Sequence, residues 1–113
     1  MQKEPLVSVI MSAYNAESTL ENAIESILSQ SFSNFEFLIM NDGSNDMTSE
    51  IIENYSQNDK RIRVFQNEKN KGLTKSLNIL INLSKPKKMN ITINNTLNSE
   101  TENEDLEIFL VSK

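Results

Sequence analysis

The sequence predicts an α/β fold, three layers built on a parallel sheet, and three observations predict it. Short β-rich apolar runs alternate along the chain with segments whose apolar residues recur at helical spacing. The first two runs have almost no polar break, as is typical of parallel strands that are buried on both faces. A dense cluster of turn-forming residues follows the second run, at positions 41–46. Alternation of this kind favours parallel strands joined by crossover helices.

The predicted elements follow the order strand, helix, strand, helix, strand, helix. Strands are predicted at residues 6–11, 35–40 and 62–65. The first helix has apolar residues at i, i+3, i+4, i+7 and i+8, which form one stripe: Leu20, Ala23, Ile24, Ile27 and Leu28. The stripe of the second helix consists of Met47, Ile51, Ile52 and Tyr55. The stripe of the third helix, which Gly72 opens, consists of Leu73, Leu77, Leu80 and Ile81.

The composition of the chain changes at Pro86, after which Asn, Thr, Ser and Glu dominate with little periodicity. We therefore expect one domain over residues 1–85 and a weakly ordered tail over residues 86–113. Two short apolar stretches of this tail, at 89–93 and 108–111, have the composition of strands. We expect that the second of them can add an edge strand to the sheet.

Composition also narrows the chemistry that is available to the chain. The 113 residues include no Cys and no His, which excludes disulfides, thiolate sites, imidazole ligands and Ser-His-Asp catalysis. Carboxylates remain for acid–base or metal chemistry, and they favour hard cations such as Mg²⁺ or Mn²⁺. Two glycines cannot form a Gly-rich dinucleotide fingerprint or a P-loop. The net charge of −5 argues against a nucleic-acid partner.

The N-terminal apolar run at residues 6–11 is too short for a signal sequence or for a membrane span. We expect no transmembrane segment and a cytoplasmic location. A peripheral position at the inner face of the membrane is the alternative.

Four segments, in order and at matching spacing, resemble the start of family 2 glycosyltransferases. Residues 7–15 (VSVIMSAYN) resemble the family's opening strand, and residues 24–32 (IESILSQSF) resemble its first helix. Residues 35–46 (FEFLIMNDGSND) are similar to its second strand and D-D-G-S-x-D turn, and residues 70–78 (NKGLTKSLN) to its N-x-G-L-x-x-[AS]-x-N segment. The resemblance implies the N-terminal part of a Rossmann-like GT-A domain that binds a nucleotide-sugar, with UDP-sugars as the expected donors.

Ligands of parallel α/β sheets bind at the carboxyl ends of the strands, where Asp42 follows the second predicted strand. Its carboxylate could accept a hydrogen bond from the N3–H of uracil, or it could simply form the turn. In the family, the second acidic residue of the D-D-G-S turn contacts the base, and this residue corresponds to Asp42. The first acidic residue of that turn is Asn41 in this chain.

Four further residues complete the expected nucleotide site. Tyr14 could lie against the base or ribose, or it could be a half-buried core residue at the strand end. Ser12 and Ala13 are placed to offer backbone groups to the base. Lys75 could approach the diphosphate as a point charge, or it could be a solvated helix residue. We assign Gly43 to the turn, because a positive φ is expected there.

No catalytic residue and no metal ligand can be assigned. The family continues into a segment resembling A-x-G-x-[YF]-I-x-x-[LM]-D-x-D-D, whose carboxylates hold the divalent cation, Mg²⁺ or Mn²⁺, with the general base beyond it. This chain contains no D-x-D, and the resemblance ends at residues 84–85. The acidic run at 100–107 has no strand-and-turn context that would replace the missing carboxylates.

These observations lead us to expect a truncated chain, and they leave three functional interpretations open. The first is a glycosyltransferase-like protein that uses a nucleotide-sugar but is inactive alone. The second is a non-catalytic remnant that binds a nucleotide weakly. The third is an interaction module, with self-association through the exposed edge of an unfinished sheet.

Overall fold

The computed structural model describes residues 7–84, 90–94 and 105–112. Within them the chain alternates between strand and helix as the apolar pattern predicts. The strands are β1 (Val7–Tyr14), β2 (Phe35–Asp42), β3 (Ile62–Asn67), β4 (Asn90–Asn94) and β5 (Asp105–Ser112). The helices are α1 (Leu20–Leu28), α2 (Thr48–Asn58) and α3 (Leu73–Leu83).

The strands form one sheet in the order β3-β2-β1-β5-β4. Strands β1, β2 and β3 are parallel, as predicted, with Val7 opposite Phe35 and Phe37 opposite Ile62. Strand β5 runs antiparallel to β1, and β4 runs antiparallel to β5. The sheet is therefore mixed rather than wholly parallel.

The position of β5 differs from the edge strand expected for residues 108–111. It lies between β1 and β4, so that β4 and β3 are the outer strands of this sheet. A physical reason is that β1 is almost wholly buried, and buried backbone N–H and C=O groups need partners on both sides of the strand. Pairing with β5 supplies those partners along the side that β2 does not cover.

Helices cover both faces of the sheet, which gives the three predicted layers. On one face α1 and α2 pack on a cluster whose centre includes Met11, Phe37 and Ile39. On the other face α3 packs through Leu77 and Leu80 on a second cluster. The strand residues of this second cluster are Ile10, Leu38 and Met40. Side chains alternate between the two clusters along β1, β2 and β3, as the pleat requires.

On the face of the sheet that α3 covers, the buried carboxylate of Glu36 links the C-terminal end of α3 to the sheet through Arg63. The carboxylate of Glu36 accepts hydrogen bonds from Ser8 Oγ and, at 2.8 Å, from Arg63 Nη1. Arg63 Nη1 also donates to the carbonyl of Leu83 at 3.4 Å. A buried carboxylate is costly unless it is paired in this way. This cluster lies at the amino ends of the strands, at the opposite edge from their carboxyl ends.

None of the helices in the described part of the chain is long and apolar enough to cross a membrane.

The α3 layer can be tested with two substitutions of the same kind in one helix. Leu80 is fully buried against the sheet, whereas Leu83 is 39% exposed. We expect Leu80→Ala to lower the free energy of unfolding by about 2–5 kcal/mol, because it leaves a cavity. Leu83→Ala should cost less than about 1 kcal/mol, since surface substitutions usually have small effects. Urea unfolding measures both values, and equal losses would contradict the packing of α3 described above.

Candidate functional site

Three connections meet at the carboxyl ends of the parallel strands. We call residues 15–19, between β1 and α1, loop 1. We call residues 43–47, between β2 and α2, loop 2, and residues 68–72, between β3 and α3, loop 3. The ends of β1, β2 and β3 and these three loops form the edge where α/β sheets bind ligands.

The carboxylate of Asp42 lies at the centre of this edge. Asp42 is the last residue of β2, and only 2% of it is exposed. Its Oδ1 accepts a hydrogen bond from Asn67 Nδ2 at 2.8 Å and one from the backbone N–H of Lys71 at 2.9 Å. Its Oδ2 accepts one from the backbone N–H of Gly72 at 3.0 Å. Asp42 therefore holds loop 3 and the start of α3 against the end of β2.

Three hydrogen bonds do not fill all the acceptor positions of the Asp42 carboxylate. An ionised carboxylate offers about four acceptor positions on its two oxygens. The described residues fill both positions on Oδ1 of Asp42 and one on Oδ2. By this count, one acceptor position on Oδ2 has no donor among the described residues. The negative charge also lies at the N-terminal end of α3, where the helix dipole stabilises it.

Loops 1 and 2 are joined by reciprocal hydrogen bonds. The backbone N–H of Asn15 donates to Ser44 Oγ at 3.0 Å, and Asn15 Oδ1 accepts from the backbone N–H of Asn45 at 2.8 Å. The backbone N–H of Ala16 donates to Thr48 Oγ1 at 2.9 Å. Asn15 has a φ of 48°, in the left-handed region that Asn tolerates better than most residues. These bonds fix the two loops relative to each other.

Asp46 lies in loop 2, two residues before the start of α2. Its Oδ1 accepts from the backbone N–H of Thr48 at 2.9 Å, and its Oδ2 accepts from the backbone N–H of Glu17 at 3.3 Å. Burial opposes the charged carboxylate, but the hydrogen bonds from Thr48 and Glu17 outweigh it and lower the pKa of Asp46 from its usual value. Asp46 thus bonds the first N–H group of α2 and adds to the contact between loops 1 and 2.

Gly43 brings loop 2 against loop 3. Its φ of +75° confirms the prediction that this glycine serves the turn. A Cβ at this position would lie 2.6 Å from the backbone nitrogen of Asn70 and 2.7 Å from the carbonyl carbon of Lys69. Asn41 tightens the same turn, because its Oδ1 accepts from the backbone N–H of Ser44 at 3.1 Å. All three loops are therefore in contact or linked by hydrogen bonds.

The other predicted site residues lie on β1 and α3. Ser12 and Ala13 are buried, and their backbone groups lie between two paired strands, β2 and β5. Tyr14 is half-buried at the end of β1, one residue before loop 1. Lys75 is exposed in the first turn of α3, three residues after Gly72. A nucleotide-binding role for these four residues stays a prediction.

Two polar residues of this edge, Asn67 and Ser76, were not predicted as site residues from the sequence. Asn67 ends β3 opposite Asp42 in the strand register, and its Nδ2 donates to both Asp42 Oδ1 and Ser76 Oγ. Predicting β3 to end at residue 65 left Asn67 in a loop. The available signal was a polar residue directly after the third apolar run, at the carboxyl end of a parallel strand.

The described residues do not fit the divalent cation that the family resemblance implies. Within residues 7–84 and the two later strands, no three carboxylate, imidazole or thiolate side chains are grouped closely enough to hold a metal ion. The buried carboxylate of Asp42 is engaged with three N–H donors. These residues therefore do not form a site of the D-x-D kind.

The fold defines an α/β protein of the Rossmann-like class. The family model described as Glycosyl transferase family 2 matches residues 8–93, and the chain belongs to this family. The three parallel strands and their helices correspond to the N-terminal part of a GT-A domain. The four motifs that carry the resemblance in the sequence are therefore explained by common family membership.

Curated relatives support the same assignment. The chain is 47% identical over 79 residues to an uncharacterized glycosyltransferase of Haemophilus influenzae, which covers 70% of this chain and 24% of the relative. It is 42% identical over 69 residues to TuaG of Bacillus subtilis, a candidate teichuronic acid biosynthesis glycosyltransferase, covering 61% of this chain and 27% of the relative. It is 37% identical over 76 residues to the glycosyltransferase GlyA of Streptococcus pneumoniae, covering 67% of this chain and 11% of the relative. The chain thus spans about a quarter or less of the length of these relatives.

The contact between loops 2 and 3 can be tested by comparing the two glycines. Gly72, like Gly43, has a positive φ, of +92°, but a Cβ there would meet nothing within 4 Å. We expect Gly72→Ala to cost about 1–3 kcal/mol of unfolding free energy from backbone strain alone. Gly43→Ala should cost more, because the added methyl group also collides with backbone atoms of loop 3. Urea unfolding of both variants measures the difference, and an equal or smaller loss for Gly43→Ala would contradict the close approach.

Proposed function

We propose that this chain provides the nucleotide-binding part of a family 2 glycosyltransferase and that the edge around Asp42 receives the uracil of a UDP-sugar. The observation that carries the proposal is the remaining acceptor position on Asp42 Oδ2, held in place by three protein donors. Family membership supports a nucleotide-sugar as the ligand.

The chemistry of the base explains why a fixed carboxylate suits uracil. At neutral pH uracil carries a hydrogen on N3, whereas N3 of cytosine is an acceptor. A carboxylate can accept a hydrogen bond from N3–H of uracil, whereas N3 of cytosine is itself an acceptor and cannot donate one. A site that is built to bond an N–H group rejects strongly an analogue that lacks it. The geometry at Asp42 therefore favours UDP over CDP.

Tyr14 and Lys75 have supporting positions in this proposal. Tyr14 ends β1, the neighbour of β2, and offers a flat, half-buried ring beside the strand end that carries Asp42. Lys75 is exposed on the first turn of α3, the helix whose start Asp42 holds. We assign the ring to the base or ribose and the ammonium group to the diphosphate.

The proposed role is binding, without sugar transfer by this chain alone. The 113 residues contain no D-x-D segment, and the chain spans about a quarter of the length of its first relatives. The name of TuaG connects that relative with teichuronic acid, which makes polysaccharide biosynthesis the setting that we propose. The cytoplasmic location and the self-association considered from the sequence stay predictions.

Calorimetric titration tests the proposal with three ligands: UDP, CDP and N3-methyl-UDP. We expect UDP to bind weakly but roughly ten- to a hundredfold more tightly than the other two, because a hydrogen bond to a charged group contributes about 1.5–3 kcal/mol. N3-methyl-UDP keeps the rest of the nucleotide and replaces the donor hydrogen with a methyl group. Addition of Mn²⁺ should change the affinity for UDP little.

Matched variants assign the preference to one carboxylate. Asp42→Asn should bring the affinities for UDP and CDP close together. Asp46→Asn makes the same chemical change at the same edge, in a residue that bonds the first N–H group of α2, and should leave the preference intact. Circular dichroism establishes that each variant is folded. Equal binding of UDP and N3-methyl-UDP to the unchanged protein would overturn the proposal without any variant, as would strong binding that depends on Mn²⁺.

A further inference from the structure

We infer that Asn67 is a positioning residue that directs the Asp42 carboxylate, so that the third strand sets base specificity without touching the base. The inference rests on the proposed function. It concerns a residue that neither the sequence motifs nor the expected nucleotide contacts include.

The amide of Asn67 joins three elements. Asn67 is the last residue of β3, is 6% exposed, and lies opposite Asp42 in the register of the sheet. Its Nδ2 donates to Asp42 Oδ1 at 2.8 Å and to Ser76 Oγ at 3.1 Å. Ser76 is fully buried in α3. An amide nitrogen has two hydrogens, so both are used, and the amide group is held from two sides.

This arrangement determines which oxygen of Asp42 is open. Asn67 Nδ2 and the N–H of Lys71 fill both acceptor positions on Oδ1, so the one acceptor position without a donor among the described residues is on Oδ2. The terminal torsion of an Asp side chain is broad and has no sharp intrinsic preference. Neighbouring donors must therefore set its orientation. Without Asn67, Oδ1 would gain an open position, and the carboxylate would have more than one way to meet a donor.

If Asn67 only stabilised the fold, its loss would have the same effect on base preference as the loss of Ser76. Ser76 belongs to the same bridge, but it does not touch Asp42 in the described contacts. Ser76→Ala leaves one buried N–H of Asn67 without its partner, which lowers stability. It keeps the hydrogen bond from Asn67 to Asp42. Loss of Asn67 removes that bond itself, so the two variants separate stability from orientation.

The experiment compares Asn67→Ala and Ser76→Ala, with Gln66→Ala as the control at an exposed neighbouring position on β3. Titration with UDP and CDP gives the preference of each folded variant. We expect Asn67→Ala to reduce the UDP preference by a factor of about 2–10, because the carboxylate is kept and only its orientation becomes less fixed. Ser76→Ala and Gln66→Ala should keep the preference, although Ser76→Ala lowers the urea midpoint.

A readout without ligand separates this inference from the proposed function. The backbone amide signals of Lys71 and Gly72 report on the carboxylate that they bond, and NMR should show both signals shifted in Asn67→Ala but not in Gln66→Ala. If the unchanged protein shows no preference for UDP, the proposed function fails, and with it the specificity role of Asn67. If the preference exists but Asn67→Ala leaves it and these two amide signals unchanged, the positioning role alone is overturned. Equal losses of preference in Asn67→Ala and Ser76→Ala would also overturn it.

Discussion

The hydrogen bonds to the Asp42 carboxylate are the constraint on which this edge of the molecule depends. A carboxylate that is 2% exposed would be very unfavourable without partners, because burial removes its hydration. Asn67, Lys71 and Gly72 replace the lost water with three N–H donors. The same bonds define where β2 ends, how loop 3 runs and where α3 begins. The side chain of Asp42 therefore holds the start of α3 and loop 3 in place, and the same bonds orient its Oδ2 atom.

Loops 1 and 2 continue the hydrogen-bonded structure around Asp42 along the edge of the sheet. Loop 1 and loop 2 exchange hydrogen bonds through Asn15, and Gly43 allows loop 2 to approach loop 3 more closely than any other residue could. A binding edge that is already ordered loses less conformational entropy when a ligand arrives. Ordering of this kind suits the proposed binding of the uracil part of a nucleotide-sugar.

Much of the fold could be predicted from the sequence, because the apolar residues repeat with the periods of helices and strands. The stripe from Leu20 to Leu28 and the buried run of β2 were identified in this way. The ends of the strands could not be predicted in this way. The hydrogen bond that joins Asp42 and Asn67 at the ends of β2 and β3 links residues 25 positions apart in the chain. The interior position of β5 is equally non-local, because it depends on the unpaired side of β1. For the site, residue type and family resemblance drew attention to Asp42, but its three donors come from β3 and loop 3.

The central claim is that the carboxyl edge around Asp42 binds a uracil nucleotide. Titration of the isotopically labelled protein with UDP, followed by the backbone amide signals in NMR, tests it most directly. The account predicts that the largest shifts occur at Tyr14, Asp42, Lys71 and Gly72, where β1, β2 and loop 3 meet. Shifts confined to the opposite edge, around residues 31–34 and 83–84, or no shifts at millimolar UDP, would contradict it.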